Sequence, residues 1–224
     1  NWVTNAAWNY VFTGVSAWWP YSRDVVKSWY VTATWTQSVS WNTTVNVQLS
    51  VVSGMINVWN VSTWKNPYQI AISWWFAYVA CTSSNRVDKI NLSTFTNVWN
   101  VSTWNNPYWI AIDWWFAYVA CSGSNRVDKI DLSTFTVVWN VATWYVPYWI
   151  AISWWFAYVA CNYSHRVDKI NLSTFTNVWN ISVWDRPNWI AIDWWFAYVA
   201  CYGSNRVDKI NLSTFTNVWN VSTW

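Results

Sequence analysis

The sequence predicts an all-β fold: four-stranded propeller blades of period 40, preceded by a β-sandwich remnant. Three observations carry this. From Asn57 onward the chain repeats every 40 residues, as 57–96, 97–136, 137–176 and 177–216, with the start of another at 217. Units 97–136 and 177–216 differ at only seven positions, and such a period marks a solenoid, a propeller or an array. Within a unit, the apolar pattern is that of short strands rather than a helix. The composition agrees: 9% charged residues, no Glu, and abundant Val, Thr, Ser and Asn argue against a helical bundle, a coiled coil or a charged disordered tail.

Residues 1–56 differ in texture from the repeats. Asn9–Ala17, Val25 with Ser28–Tyr30, and Thr43–Leu49 read as strands of one antiparallel sandwich. Each unit after them carries four strand signals in order. In the second unit these are Ile110–Ile112, Ala117–Ala120, Arg126–Leu132 with Ile130 and Leu132 on one face, and Phe135–Val141. The connections are Asp113-Trp114-Trp115, the polar loop Ser122–Asn125, and Leu-Ser-Thr-Phe-Thr. Four short strands per 40 residues fit one propeller blade.

Several function classes drop out at this level. A net charge of +3, spread evenly along the chain, does not favour a nucleic-acid partner. The most apolar stretch, Ile70–Cys81, is about a dozen residues, short of the ~18 that a spanning helix needs. Cys81, Cys121, Cys161 and Cys201 recur at 40-residue spacing, not at zinc-ligand spacing, and read as small core residues. No phosphate loop, metal motif or nucleophile triad is present, so no cofactor or metal is expected. The start at Asn1 and the stop at Trp224 in mid-pattern read as a piece of a longer protein.

The motif Pro107-Tyr-Trp-Ile-Ala-Ile-Asp113, followed by Tyr118-Val-Ala-Cys121 and Asn125-Arg-Val-Asp-Lys-Ile130, resembles the NHL and YVTN classes of propeller repeat over 57–224. The N-terminal segment is similar to the C-terminal part of carboxypeptidase-regulatory-like β-sandwich domains. These resemblances imply an extracellular or cell-surface, bacterial-type binding or scaffold module. They also imply two rivals, a propeller lyase or hydrolase and a purely structural spacer. An outer-membrane barrel is disfavoured, because its strands would run about ten residues in strict alternation.

Tryptophan is in conflict with this fold. The chain has 28 Trp and 4 Gly, whereas ordinary Gly usage predicts about 16. Trp104, Trp109 and Trp115, with their equivalents, stand where the NHL-like repeats have Gly, as does Gln69 in the first unit. Trp18 and Trp29 do the same against the sandwich family. Asp113-Trp-Trp-Phe116 falls where a tight hairpin turn needs positive φ, which Gly supplies and Trp resists. The expectation is that most of these Trp stand for Gly in the natural protein. A UGA codon, read as Gly in certain bacterial lineages and as Trp in a common alternative table, would produce this pattern.

Candidate site residues come from the differences between units. Asp88, Asp128, Asp168 and Asp208, each followed by Lys, recur once per unit and read as structural ion pairs or turn residues. Asp113 and Asp193 read as turn-initiating residues. Variation concentrates before the first strand and after the Cys, two loops that emerge on the same face of a four-stranded blade. The contacts expected there are Lys65, Asn66, Asn105, Asn106, Tyr145, Asn162, Tyr163, His165, Asp185, Arg186 and Tyr202, facing a protein or glycan ligand. His165 with Asp185 or Arg186 is the one candidate for the enzyme rival. Four blades do not close comfortably into a ring, so further repeats or a homo-oligomer would complete it.

Overall fold

The computed structural model describes residues 2–4, 10–12 and 60–223. The chain divides into two units, Asn1–Val58 and Trp59–Trp224. In the first, β1 (Trp2–Thr4) pairs antiparallel with β2 (Tyr10–Phe12), Trp2 opposite Phe12. The remaining strands expected in the sandwich lie outside the described residues.

The second unit is four antiparallel sheets of four strands, each following chain order from inner to outer edge. The first holds β3 (Pro67–Ser73), β4 (Phe76–Cys81), β5 (Arg86–Asn91) and β6 (Thr96–Ser102). The second holds β7 (Pro107–Asp113), β8 (Phe116–Cys121), β9 (Arg126–Asp131) and β10 (Thr136–Ala142). The third holds β11 (Pro147–Ser153), β12 (Phe156–Cys161), β13 (Arg166–Asn171) and β14 (Thr176–Ser182). The fourth holds β15 (Pro187–Asp193), β16 (Phe196–Cys201), β17 (Arg206–Asn211) and β18 (Thr216–Ser222). All four strands expected per unit are present, and the all-β, blade-like reading holds. A sheet runs 67–102, ten residues later than the repeat frame, so Thr216–Ser222 is the outer strand of the fourth sheet.

The core lies between sheets, which explains the continuous apolar run of the second strand. In β8, Ala117, Val119 and Cys121 pack toward the preceding sheet with Tyr78, Ala80 and Val87. The alternate residues, Tyr118 and Ala120, pack toward the following sheet with Ile150 and Val159. Both faces of one strand are therefore buried, and a polar alternation would leave one of them unpaired. The four cysteines are free and buried, as expected of small core residues. The inner strands β3, β7, β11 and β15 neighbour one another in chain order; among the described residues no comparable packing joins β15 back to β3. The sheets form an open arc.

All three hairpin connections of a sheet carry a left-handed residue. At the first, Trp74, Trp114, Trp154 and Trp194 have φ of 55°, 42°, 55° and 43°. Their rings are 70–75% exposed. At the last, the Asn91 or Asp131 side chain accepts from the backbone N–H groups two and three residues on, and Phe95, Phe135, Phe175 and Phe215 take φ of 50–53°. Phe135, Phe175 and Phe215 are 3–4% exposed and pack on Tyr78, Tyr118 and Tyr158. The same strained dihedral is thus compensated by burial at Phe and uncompensated at Trp.

Candidate ligand-binding face

The two variable loops of each sheet are hydrogen-bonded to one another. Thr82 N donates to Asn66 O (3.0 Å), Ser122 N to Asn106 O (2.9 Å), Asn162 N to Val146 O (2.9 Å) and Tyr202 N to Arg186 O (3.0 Å). Lys65, Asn66, Asn105, Asn106, Tyr145, Tyr163, His165, Asp185, Arg186 and Tyr202 therefore share one end of the array. Tyr145, Tyr163 and Tyr202 are 65%, 63% and 71% exposed. Asn162 departs from its expected role as a contact. It is buried, and its amide donates to Pro187 O (3.3 Å) and closely to Asn188 Oδ1 in the next sheet. Its counterpart Thr82 does the same toward Pro107 O (3.0 Å), so Thr82 and Asn162 are struts between blades, whereas Ser122 Oγ donates to Asn106 O in its own blade.

A buried carboxylate anchors each entry loop. Asp88, Asp128, Asp168 and Asp208 are fully buried, and their Oδ2 atoms accept from the backbone N–H of Trp64, Trp104, Trp144 and Trp184 at 2.9–3.0 Å. The Asn97, Asn177 and Asn217 amides add a second donor. The expected Asp–Lys ion pair is replaced by this arrangement, because neighbouring residues of a strand point to opposite faces. The lysines instead lie over Phe76, Phe116, Phe156 and Phe196 at 3.9–4.2 Å. Burial pushes the Asp128 and Asp168 carboxyls above their usual range, although the backbone N–H of Trp104 and Trp144 opposes it. Burial also pushes up the Cys121 and Cys161 thiols, with the adjacent Asp adding to the shift. These thiols are not poised as nucleophiles.

The clasp between consecutive blades was not read from the sequence. Asn85, Asn125, His165 and Asn205 each have φ of 51–54°. The Asn85 side chain accepts from Asn106 N (2.9 Å) and Asn125 from Val146 N (2.9 Å), each in the following sheet. His165 takes the same place, its Nδ1 accepting from Arg186 N at 3.2 Å. An Asn at a fixed place before Arg-Val was the available signal, since Asn tolerates this backbone better than most residues. His165 Nδ1 also lies 3.0 Å from Asp185 Oδ1, with both side chains about half exposed. One nitrogen cannot accept from Arg186 and donate to Asp185 together. The neutral ring with bare Nδ1 makes the first contact, and a ring protonated there makes the second. The structure therefore joins His165 and Asp185 across two sheets, beside Tyr163 and Arg186. Among the described residues, no group of His, Cys and Asp has metal-holding geometry, and no helix is long and apolar enough to cross a membrane.

No family model matches the chain, and no curated protein is significantly similar in sequence. Solved structures do resemble it. Hydrazine synthase of Kuenenia stuttgartiensis aligns at 23% identity and a TM-score of 0.66, over 75% of this chain and 52% of that one. The dihydro-heme d1 dehydrogenase NirN, solved with DHE, aligns at 10% identity and 0.59, over 69% and 37%. The computationally designed Ika8 protein aligns at 7% identity and 0.60, over 69% and 48%. The chain thus spans about half or less of each of these structures. Hydrazine synthase and NirN are β-propeller proteins, and at these identities the likeness is one of fold: the four sheets are blades of a β-propeller.

Proposed function

We propose that this chain is an NHL/YVTN-type propeller module of an extracellular or cell-surface protein that binds a protein or glycan ligand through its variable loop face. The N-terminal sandwich remnant belongs to the same reading. The observation that carries it is the gathering of the sequence differences at one end of an otherwise near-identical scaffold. Exposed aromatic side chains there, Tyr145 and Tyr163, offer large contact area at low entropic cost. Asp185, Arg186 and Asn105 add polar selectivity at the same end. A rigid scaffold carrying diversified loops is the usual division between support and recognition.

The test compares the parent with a Tyr145→Ala, Tyr163→Ala, Asp185→Ala, Arg186→Ala variant on a glycan array and against candidate surface proteins. Capture lost in the variant, with an unchanged unfolding midpoint, supports the reading. Capture retained in full overturns it in favour of the spacer. A second reading, a lyase or hydrolase centre, is favoured only by the 3.0 Å approach of His165 to Asp185. Turnover of polysaccharide or ester substrates that disappears in His165→Gln would establish it.

A further inference from the structure

Of the three clasps between consecutive blades, two are amides and one is an imidazole. Asn85 Oδ1 accepts from Asn106 N and Asn125 Oδ1 from Val146 N, both at 2.9 Å. An amide oxygen carries no titratable proton and stays an acceptor. At the third join His165 Nδ1 accepts from Arg186 N at 3.2 Å. That nitrogen accepts only while it is bare, and histidine is the side chain whose charge ordinarily changes between about pH 5 and 8.

The third join also has a second partner ready for the ring. Asp185 Oδ1 lies 3.0 Å from the same Nδ1. The residues at its place in the other blades are Lys65, Asn105 and Tyr145, none of them anionic. Gly203 sets where this carboxylate sits. Its N–H donates to Asp185 O at 3.0 Å, and a Cβ built on it would overlap Asp185 Oδ2 and stand 2.7 Å from Cγ. The carboxylate therefore occupies the space that any side chain at 203 would take. The other ionisable groups around the ring are Arg186 on the same entry loop, and Tyr163 and Arg166 on its own loop and strand. Tyr145 lies on the loop whose carbonyl accepts from Ser164 Oγ at 3.3 Å. Behind the entry loop, Asp208 and Arg206 hold Trp184.

We propose that the third join is an acid-sensitive clasp, in which protonation moves the His165 ring from the Arg186 N–H to the Asp185 carboxylate that Gly203 holds in place. One proton is taken from water at Nδ1, which turns from acceptor to donor, and the Arg186 N–H loses its partner. The tie between the third and fourth blades then passes from a backbone bond to an ion pair whose side chains are about half exposed, a contact that salt weakens. Tyr202 N donates to Arg186 O and Gly203 N to Asp185 O, so both variable loops of the fourth blade are bonded to the segment that changes partner. The first two joins keep their amide clasps. No ligand enters this argument, so it stands or falls apart from the ligand-binding reading.

The test is NMR of the intact 224-residue chain, in which the single His makes the ring signals unambiguous. Amide protection of Arg186, corrected for intrinsic exchange, is expected to fall about fivefold between about pH 8 and pH 5, as for the loss of one ordinary hydrogen bond. Asn106 and Val146, the clasped amides of the other joins, are the internal controls and should hold their protection. His165→Asn rebuilds the amide clasp and should leave Arg186 indifferent to pH. At acid pH the parent should show a downfield Nδ1–H proton signal from the ring on its carboxylate, lost in Asp185→Asn and in Gly203→Ala. Asp185→Asn, which changes almost no volume, carries that arm alone should Gly203→Ala fail to fold. Equal Arg186 protection at the two pH values, an equal fall at Asn106 and Val146, or a pH response that survives His165→Asn overturns the proposal. A parent without the downfield signal, or a signal that persists in Asp185→Asn, overturns the part given to Asp185.

Discussion

Replacing Trp74, Trp114, Trp154 and Trp194 by Gly is expected to stabilise the array, because the rings gain almost nothing from the backbone they strain. Each sits at φ of 42–55° with 70–75% of its surface in water. A side chain held at positive φ costs more than about 0.4–1 kcal/mol net relative to Gly, with the chain entropy of Gly already counted. Taking about 1 kcal/mol per turn, and little lost burial, four turns give roughly 4 kcal/mol. At about 2–4 °C per kcal/mol for a domain of this size, Tm rises by roughly 8–16 °C. The matched control is Phe135→Gly. It relieves the same dihedral, φ of 51°, but empties a buried site, where Phe truncation costs about 3–5 kcal/mol. Urea unfolding of the two variants should therefore move in opposite directions. A quadruple Trp variant no more stable than the parent, or a stabilising Phe135→Gly, would refute the strain argument. The gene carries a parallel test: UGG codons at positions 114 and 115 would end the expectation that these residues stand for Gly.

Further outcomes follow from single side chains. Val146 is β-branched at φ of 58°, where its counterparts are Asn66, Asn106 and Arg186; Val146→Asn should raise stability by about 1 kcal/mol in chemical denaturation. Asp128 and Asp168 are raised above the ordinary 3.8 by burial. Their contribution to stability is present at acid pH and lost as pH rises through the raised value. Asp128→Asn with Asp168→Asn should flatten that fall in unfolding measured from acid to neutral pH, and an unchanged profile would count against buried ionisation. Tyr145→Ala and Tyr163→Ala, at 65% and 63% exposure, should change stability by less than about 0.5 kcal/mol. A larger loss would show that these rings hold the loops rather than face a ligand.

The repeat made the strands legible, because an insertion or a change of face would have broken a period that persists through four units. It also marked the variable end, since Tyr145, Asp185 and Arg186 differ between units while the Trp and Pro that flank them do not. Three features escaped it. The phase of the blade is set by which strand lies innermost, and the period alone contains no such origin. Asn162 varied like a surface residue, yet it spans to the next blade; Thr82 reaches the same carbonyl, whereas the shorter Ser122 bonds Asn106 O within its own blade. Asp-Lys adjacency looked like an ion pair, although in a strand it places the two charges on opposite faces.

The clasp made by Asn85, Asn125 and His165 runs from each blade only to its successor. Every such contact across a join relates a residue of one blade to a residue of the next, 21 to 57 positions further along. Nothing in a join therefore registers how many blades precede or follow it. Duplicating or deleting one whole unit of the gene leaves every remaining join with the partners it had before. Recombination between near-identical units can then shuffle the loop sequences carried by each blade without testing the core anew.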